Sequence, residues 1–494
     1  MRLLAFIFAG FAASAEADIR FEDRSSALPK HIYAGGWEHF VGGGVAIFDC
    51  DADALPDLFV AGGANPAKLL RNAGNFTFHA GDLPELTGVT GAYPIDIDAD
   101  GIKDLFVLRV GPNVVLRGGP DCSFTESSHT WGIPANDAWS TAFTAWWEPE
   151  HDRPVMAVGN YVDLENPDGP FEACDDNVIL RPSNTGYSAH RLSPGYCPLS
   201  ILAARDARNQ PSLRLSNDRH YYVKDGFEQM WDIAQRRFLT ADDGWHRVSL
   251  WGMGIASRDL NGDHQDEVML TSMGDQLLQI AVADGSYRAA PFSLGTYAQR
   301  PHMGDDGRPS TGWHAEFGDV DNDGDADLFI AKGNVDQMPG MATRDPNNLL
   351  LQQADGRFVE HAAQSGVAAQ ERSRGAGLVD VDLDGRLDLI VVNRRAPLRL
   401  YRNVSTNTGH WLRIVLRQSG GNRDAIGARI SVQTSRRAQS VQHVVGGGHA
   451  GGQLIAKHFG LGQELAAAVT VNWPDGTVSH ARLEANQTHV ITKP

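Results

Sequence analysis

Asp319-Val320-Asp321-Asn322-Asp323-Gly324-Asp325-Ala326-Asp327, followed at once by Leu328-Phe329-Ile330, is the stretch from which the fold can be read. Oxygen-bearing side chains stand at positions 1, 3, 5 and 9 of a nine-residue loop, and position 7 would add a backbone carbonyl. Four carboxylates gathered on so short a loop repel one another unless a hard cation neutralises them. Calcium accepts many oxygen ligands in flexible geometry, and this set suits it. Glycine at position 6 permits the sharp bend that wrapping an ion requires. Helix-flanked calcium loops are longer and end in a bidentate Glu, whereas here a strand follows directly, so the site is of strand-loop-strand type.

The spacing recurs. Asp49-Cys50-Asp51-Ala52-Asp53-Ala54-Leu55-Pro56-Asp57 precedes Leu58-Phe59-Val60, and Asp96-Ile97-Asp98-Ala99-Asp100-Gly101-Ile102-Lys103-Asp104 precedes Leu105-Phe106-Val107. Asp259-Leu260-Asn261-Gly262-Asp263-His264-Gln265-Asp266-Glu267 precedes Val268-Met269-Leu270, and Asp380-Val381-Asp382-Leu383-Asp384-Gly385-Arg386-Leu387-Asp388 precedes Leu389-Ile390-Val391. Two degenerate copies fill the long gap, at 147–155 and 204–211, each again before a short apolar run. The unit starts then fall at 49, 96, 147, 204, 259, 319 and 380. Seven units of about 55 residues, each with room for four short strands, predict a seven-bladed β-propeller. Units three and four lack the carboxylates, so about five calcium ions are expected. Ile19-Arg20-Phe21-Glu22 has no loop before it and would complete the last blade after Tyr401, removing an exposed sheet edge.

Outside the repeats the chain changes character twice. Arg2, an apolar run over 3–13, and Ser14, Ala15 and Ala17 read as a secretory signal over residues 1–17, cut after Ala15 or Ala17. No later stretch reaches the roughly 18 apolar residues of a membrane span. Export makes disulfides feasible, and Cys50 with Cys122 and Cys174 with Cys197 is one of the three pairings that four cysteines allow. The propeller is read over 18–403. Residues 404–494 hold nine Lys/Arg and four Asp/Glu, a charge of +5, and carry strand-like runs without acidic loops. They read as a separate small β-sandwich, and the opposite charge of the propeller would favour electrostatic docking of the two.

The chain has 61 acidic and 43 basic side chains in 494 residues, a formal charge of −18. That balance excludes a nucleic-acid backbone or an anionic membrane surface as the main partner. Nineteen of the carboxylates are loop ligands, so the acidity is largely a demand for metal. Gly-x-Ser-x-Gly, phosphate-loop, His-Glu-x-x-His and Cys-x-x-Cys motifs are absent.

The acidic loops with their Leu-Phe-Val strands resemble the FG-GAP/VCBS repeats of integrin-α-like propellers. Gly409-His410-Trp411-Leu412, the run from Asn422 to Arg429, His458-Phe459-Gly460-Leu461-Gly462 and Val471-Asn472-Trp473-Pro474-Asp475-Gly476 resemble the ASPIC/UnbV domain. The combination is similar to the cartilage acidic protein family and its bacterial relatives. The segment Val445-Gly446-Gly447-Gly448-His449-Ala450-Gly451-Gly452-Gln453 departs from the family pattern, which has an aromatic and a serine before the glutamine. The resemblance implies structural calcium on one face of the disc and extracellular binding of a protein or glycan rather than catalysis.

It also implies a ligand face at the opposite end, where chain segments enter the first strands. His39, Trp251, His302, Trp313 and Arg374 are the candidates there for holding a ligand. Where the segment before a loop is usually small and glycine-rich, the sixth unit has Trp313-His314-Ala315-Glu316. His314 and Glu316 share one side of a strand and would suit a transition metal, or base and acid roles. The second reading is therefore an exported metalloenzyme acting on a small molecule in the propeller funnel.

Overall fold

A computed structural model describes residues 17–494 apart from 136, 167–172, 219–225, 298–307 and 337. The leader read over 1–17 lies outside the described residues except for Ala17, and so does His302. The chain is an all-β propeller. Among the described residues, the strands between 21 and 403 form seven antiparallel units of four. The first strands of the units are Val45–Phe48, Val89–Ile95, Asp137–Trp146, Pro198–Arg205, Gly252–Arg258, Gly312–Gly318 and Arg372–Val379. Each touches the first strand of the next unit, and Arg372–Val379 touches Val45–Phe48, so the units close into a ring. Phe21–Asp23 pairs with Arg399–Asn403 as the outer strand of the seventh unit. The chain's two ends thus share one sheet.

Burial explains the sequence pattern. Inner strands are covered on both faces by neighbouring units and read as unbroken apolar runs, such as Val45-Ala46-Ile47-Phe48 and Leu58-Phe59-Val60. Outer strands such as Phe78–Ala80 bury only one residue and tolerate polar neighbours. Two disulfides form, Cys50 with Cys122 and Cys174 with Cys197. The first ties unit one to unit two across a sequence separation of 72 residues. Replacing both of its cysteines by serine should lower stability by about 4 kcal/mol, read from the denaturant midpoint, because a long loop in the unfolded chain is released.

Residues beyond 409 form two packed sheets. One orders Lys457–Gly462, His410–Arg417 and Gln487–Thr492; the other orders Ala438–Gln442, Arg429–Gln433, Ala466–Asn472 and Val478–Glu484. Leu412, Ile414, Ile430, Val432, Phe459, Val469 and Trp473 fill the space between them.

This sandwich sits on the loop end of the propeller. Gly409 and Gly462 donate backbone N–H groups to the carbonyls of Asp321 and Asn322, both at 2.8 Å. Charge complementarity runs as expected: Arg429 meets Asp266 at 2.8 Å, and Arg413 meets Asp380 at 3.3 Å. One contact reverses the polarity, with Lys103 of the propeller on Asp424 of the sandwich at 2.7 Å.

From the sandwich the glycine-rich segment around 445–454 enters the axis of the ring. It forms bridges to Ala145, Leu202, Ile255 and Ala92, and Gln453–Leu454 adds a parallel strand to Val45–Phe48. Gly447 donates to the Ile201 carbonyl at 2.8 Å, Gly448 to Ile255 at 2.7 Å, and Ile47 to Gly452 at 3.0 Å. The glycines preceding the loops now have a cause. A Cβ on Gly44 or Gly91 would lie 1.8 or 1.7 Å from the Ala450 carbonyl oxygen. Small residues there admit a strand of backbone that arrives from the other end of the sequence.

Candidate functional site

The five acidic loops share one hydrogen-bond frame. The position-1 carboxylate accepts the N–H of position 6, as in Asp49 with Ala54, Asp96 with Gly101 and Asp259 with His264. Asp319 with Gly324 and Asp380 with Gly385 repeat it. The position-5 carboxylate accepts the N–H of position 7, seen for Asp53, Asp100, Asp263, Asp323 and Asp384. Position 9 accepts the N–H of position 2 on one oxygen, as Asp57, Asp104, Glu267, Asp327 and Asp388 all do. Its other oxygen accepts from the third strand, at Asn72, Gly118, Gln352 and Asn403. Four of the five loops are thereby locked to their own blades.

The bend places two residues per loop in the left-handed region. Position 6 lies there in all five, with φ of +73° at Ala54, +90° at Gly101, +68° at His264, +100° at Gly324 and +88° at Gly385. Glycine is the low-strain choice at such a position, and three loops use it.

Four loops bring their carboxylates together. Asp49, Asp51 and Asp53 each offer an oxygen within 4.8 Å of the others, as do Asp96, Asp98 and Asp104, then Asp319, Asp321 and Asp327, then Asp380, Asp382 and Asp388. The Asp259 loop has the same turns, but Asn261 donates to Asp263 at 3.2 Å and Ser440 donates to Asp259 at 2.8 Å. A further grouping of Cys50, Cys122 and Asp57 is the disulfide beside a position-9 carboxylate.

The donor set fits a hard divalent ion. Buried oxygens of Asp49, Asp51, Asp96, Asp380 and Asp382 have no hydrogen-bond partner, an arrangement that is unfavourable unless something positive faces them. Burial pushes Asp57 up to about 7 and Asp104 up to about 8, with the neighbouring loop carboxylates adding to the shift. An arginine on the third strand partly offsets this charge in three units: Arg71 meets Asp51 at 2.6 Å, Arg117 meets Asp98 at 2.7 Å, and Arg402 meets Asp382 at 2.8 Å. The position-7 residues Leu55, Ile102, Gln265, Asp325 and Arg386 supply the N–H that orders position 5.

At the end opposite the loops, the residues read as a ligand face are packed inward. Trp313 is fully buried, its indole N–H donating to the Gly333 carbonyl at 2.7 Å. The buried Arg374 guanidinium lies 3.9 Å from the centre of that ring and donates to the carbonyls of Phe40, Ser373, Asn334 and Val335. Trp251 packs half-buried against a cluster that includes Phe40, Trp139, Tyr161, Met253 and Trp313. His39 is buried beside Glu38, at 3.1 Å. Ring closure brings these aromatics from separate blades together, and they fill that end of the axis.

His314 and Glu316 do share one side, 3.3 Å apart. Both are engaged by the axial segment. His314 Nδ1 accepts the His449 backbone N–H at 3.1 Å, while Glu316 accepts from Gln453 at 2.8 Å and from the Leu378 N–H at 3.0 Å. His449 donates from Nδ1 to the Met253 carbonyl and accepts the Gly42 N–H on Nε2, and it packs edge-on against Trp313. Burial lowers its pKa to about 3, so the ring is neutral. Sequence reasoning passed over His449 and Gln453. Their signal was the glycine run itself, which breaks the family pattern where a buried backbone crossing needs no side chains.

Residues 418–494 match the family model described as ASPIC and UnbV, and residues 49–107 match the FG-GAP-like repeat. The fold and its loops define an FG-GAP-repeat propeller with a C-terminal ASPIC/UnbV domain. That combination is similar to the one of the cartilage acidic protein family. The chain is 30% identical to cartilage acidic protein 1 of Mus musculus over 162 residues, 32% of this chain and 25% of that protein. The Homo sapiens protein gives the same identity over 162 residues and 24% of its length. The match thus spans about a quarter of these relatives. Among solved structures, BBS1N in complex with ARL6DN superposes with a TM-score of 0.45 at 11% identity, over 76% of this chain and 96% of that one. Among the described residues no helix is long and apolar enough to cross a membrane.

Proposed function

We propose that the protein is an exported binding module whose propeller is held by structural calcium in the acidic loops. The observation that carries this reading over the enzymatic one is the engagement of His314 and Glu316 by the axial segment. Both groups line the space between the propeller and the sandwich, but His314 Nδ1 and the Glu316 carboxylate, whose lone pairs a general base or metal ligand would need, hold Gly-rich backbone and Gln453 in place. Calcium is supported by the four carboxylate clusters and their unpartnered oxygens. The ions would brace the frame and take no part in chemistry.

The partner surface best supported is the rim opposite the loops. Trp37 is 38% exposed there and lies edge-on to Trp139, with ring centres 5.0 Å apart. Beside it Asp336 draws together Arg372, Arg394 and Arg395. An aromatic face flanked by arginines suits an extracellular protein or glycan.

Elemental analysis of the purified protein tests the reading. Four to five calcium ions per chain and no stoichiometric transition metal are expected. His314→Ala should leave that content unchanged and lower stability by about 1–3 kcal/mol, because the buried His449 N–H loses its acceptor. A transition metal bound by the native chain and lost from His314→Ala would overturn the reading in favour of a metalloenzyme.

A further inference from the structure

Between the propeller and the sandwich lies a cavity of about 700 Å³, within the range of small-molecule sites. Its wall is the last turn of the inner strands on one side and the sandwich on the other. Arg258 ends the first strand of unit five, and Lys457 begins the sandwich strand Lys457–Gly462; both line the cavity.

These two differ from the other cations on that wall, Lys103, Arg413 and Arg417, each of which meets a carboxylate. Arg258 is 6% exposed, its Nε has no hydrogen-bond partner, and its guanidinium rests 5.4 Å from the centre of the Phe459 ring. Among the described residues neither Arg258 nor Lys457 makes an ion pair, and they are near enough to repel each other. The carboxylates nearest Arg258 are Asp259, Asp266 and Asp319, of which Asp266 meets Arg429 and the other two are position-1 groups of acidic loops; Glu316, nearest Lys457, accepts from Gln453. Nδ1 of His443 is also buried without a partner on the same wall. Unpaired cations in a water-poor interior are unfavourable, and an oxyanion between them satisfies both. A guanidinium matches two oxygens at once, and an ammonium adds a point charge.

We propose that this cavity is a binding site for a small molecule bearing a carboxylate, sulfate or phosphate group, held by Arg258 of the propeller and Lys457 of the sandwich. The ligand bridges the two parts of the chain. The site borders the acidic loops, whose Asp49, Asp51 and Asp380 also line the cavity, and is separate from the partner rim.

Sulfate and succinate are suitable probes, since neither strips calcium from the protein at millimolar concentration. Isothermal titration of the calcium-loaded chain at constant ionic strength, balanced with chloride, should show saturable binding of at least one of them. Binding of sulfate alone points to a sulfate or phosphate group on the natural ligand, and of succinate alone to a carboxylate. Lys457→Met should weaken that binding at least tenfold. The unliganded variant should melt no lower than the parent, because a half-buried charge without an ion-pair partner has been removed. Selenate soaked into crystals of the unmodified protein gives a second readout that needs no variant: an anomalous peak between Arg258 and Lys457 is expected. No saturable binding of either probe, binding that Lys457→Met leaves intact, or, where sulfate binds in titration, a cavity without a selenate peak overturns the proposal.

Discussion

Excess EDTA is expected to lower the melting temperature of this protein by roughly 5–10 °C, and added calcium to restore it. An ion that binds only the folded chain stabilises it by about 1.4 kcal/mol per site at a tenfold excess over its dissociation constant. Four or five independent loops therefore contribute about 6–7 kcal/mol, and a chain of this size shifts by about 1 °C per kcal/mol. Repulsion works in the same direction. Without the ion, three oxygens within 4.8 Å in each of four loops face one another, several of them buried and unpartnered. Loss should spread to the sandwich, because the Asp321 and Asn322 carbonyls that receive Gly409 and Gly462 belong to one such loop. Limited proteolysis in chelator should then release residues beyond 404 early. Unchanged melting in strong chelator, together with no calcium by elemental analysis, would sink the calcium assignment.

The second large effect concerns the ring and its axis. Gly91→Val should destabilise the protein by about 3 kcal/mol or more and free the axial segment. The reason is geometric: the new Cβ would lie 1.7 Å from the Ala450 carbonyl oxygen, and both atoms belong to or hang from backbone fixed by hydrogen bonds. Neither side can yield by a rotamer change. Gly340→Ala, whose Cβ would meet nothing within 4 Å, is the control and should be near neutral. Shortening the axial segment by removing 446–452 should itself destabilise, yet largely cancel the added effect of Gly91→Val. Such non-additivity is what two groups in direct contact produce. Additive losses in the double variant would show that the two do not meet.

The acidic loops were legible in the chain because everything that shapes them lies within nine residues. Positions 1, 5 and 9 close onto the N–H groups of positions 6, 7 and 2, and those contacts recur in every copy. The strand that follows is equally local, since Leu328-Phe329-Ile330 must be apolar to lie between two neighbouring blades. Asn261 and Glu267 announced in the sequence that the third intact loop differs. Its tie to Ser440 of the sandwich did not appear there, because the partner stands 181 residues away.

The aromatic and histidine candidates were visible as residue types but not as roles. Trp313, Arg374 and His39 stand where chain segments enter the ring, and that position alone leaves open whether they face solvent or one another. Closure of the ring decided it, burying Trp313 and Arg374 together against Phe40 and Trp139.

Sequence alone therefore determined the repeat, the local frame of the acidic loops, the all-β propeller and the basic sandwich that follows it. All of these rest on short-range spacing and on burial that repeats with each unit. Only the tertiary structure decided that 445–454 runs down the propeller axis, that His314 and Glu316 hold it there, and that Arg258 and Lys457 share a cavity. A glycine run carries no hydrophobic periodicity, and its partners are backbone groups from five blades up to some 400 residues away. Those groups exist as a single site only once the ring has closed.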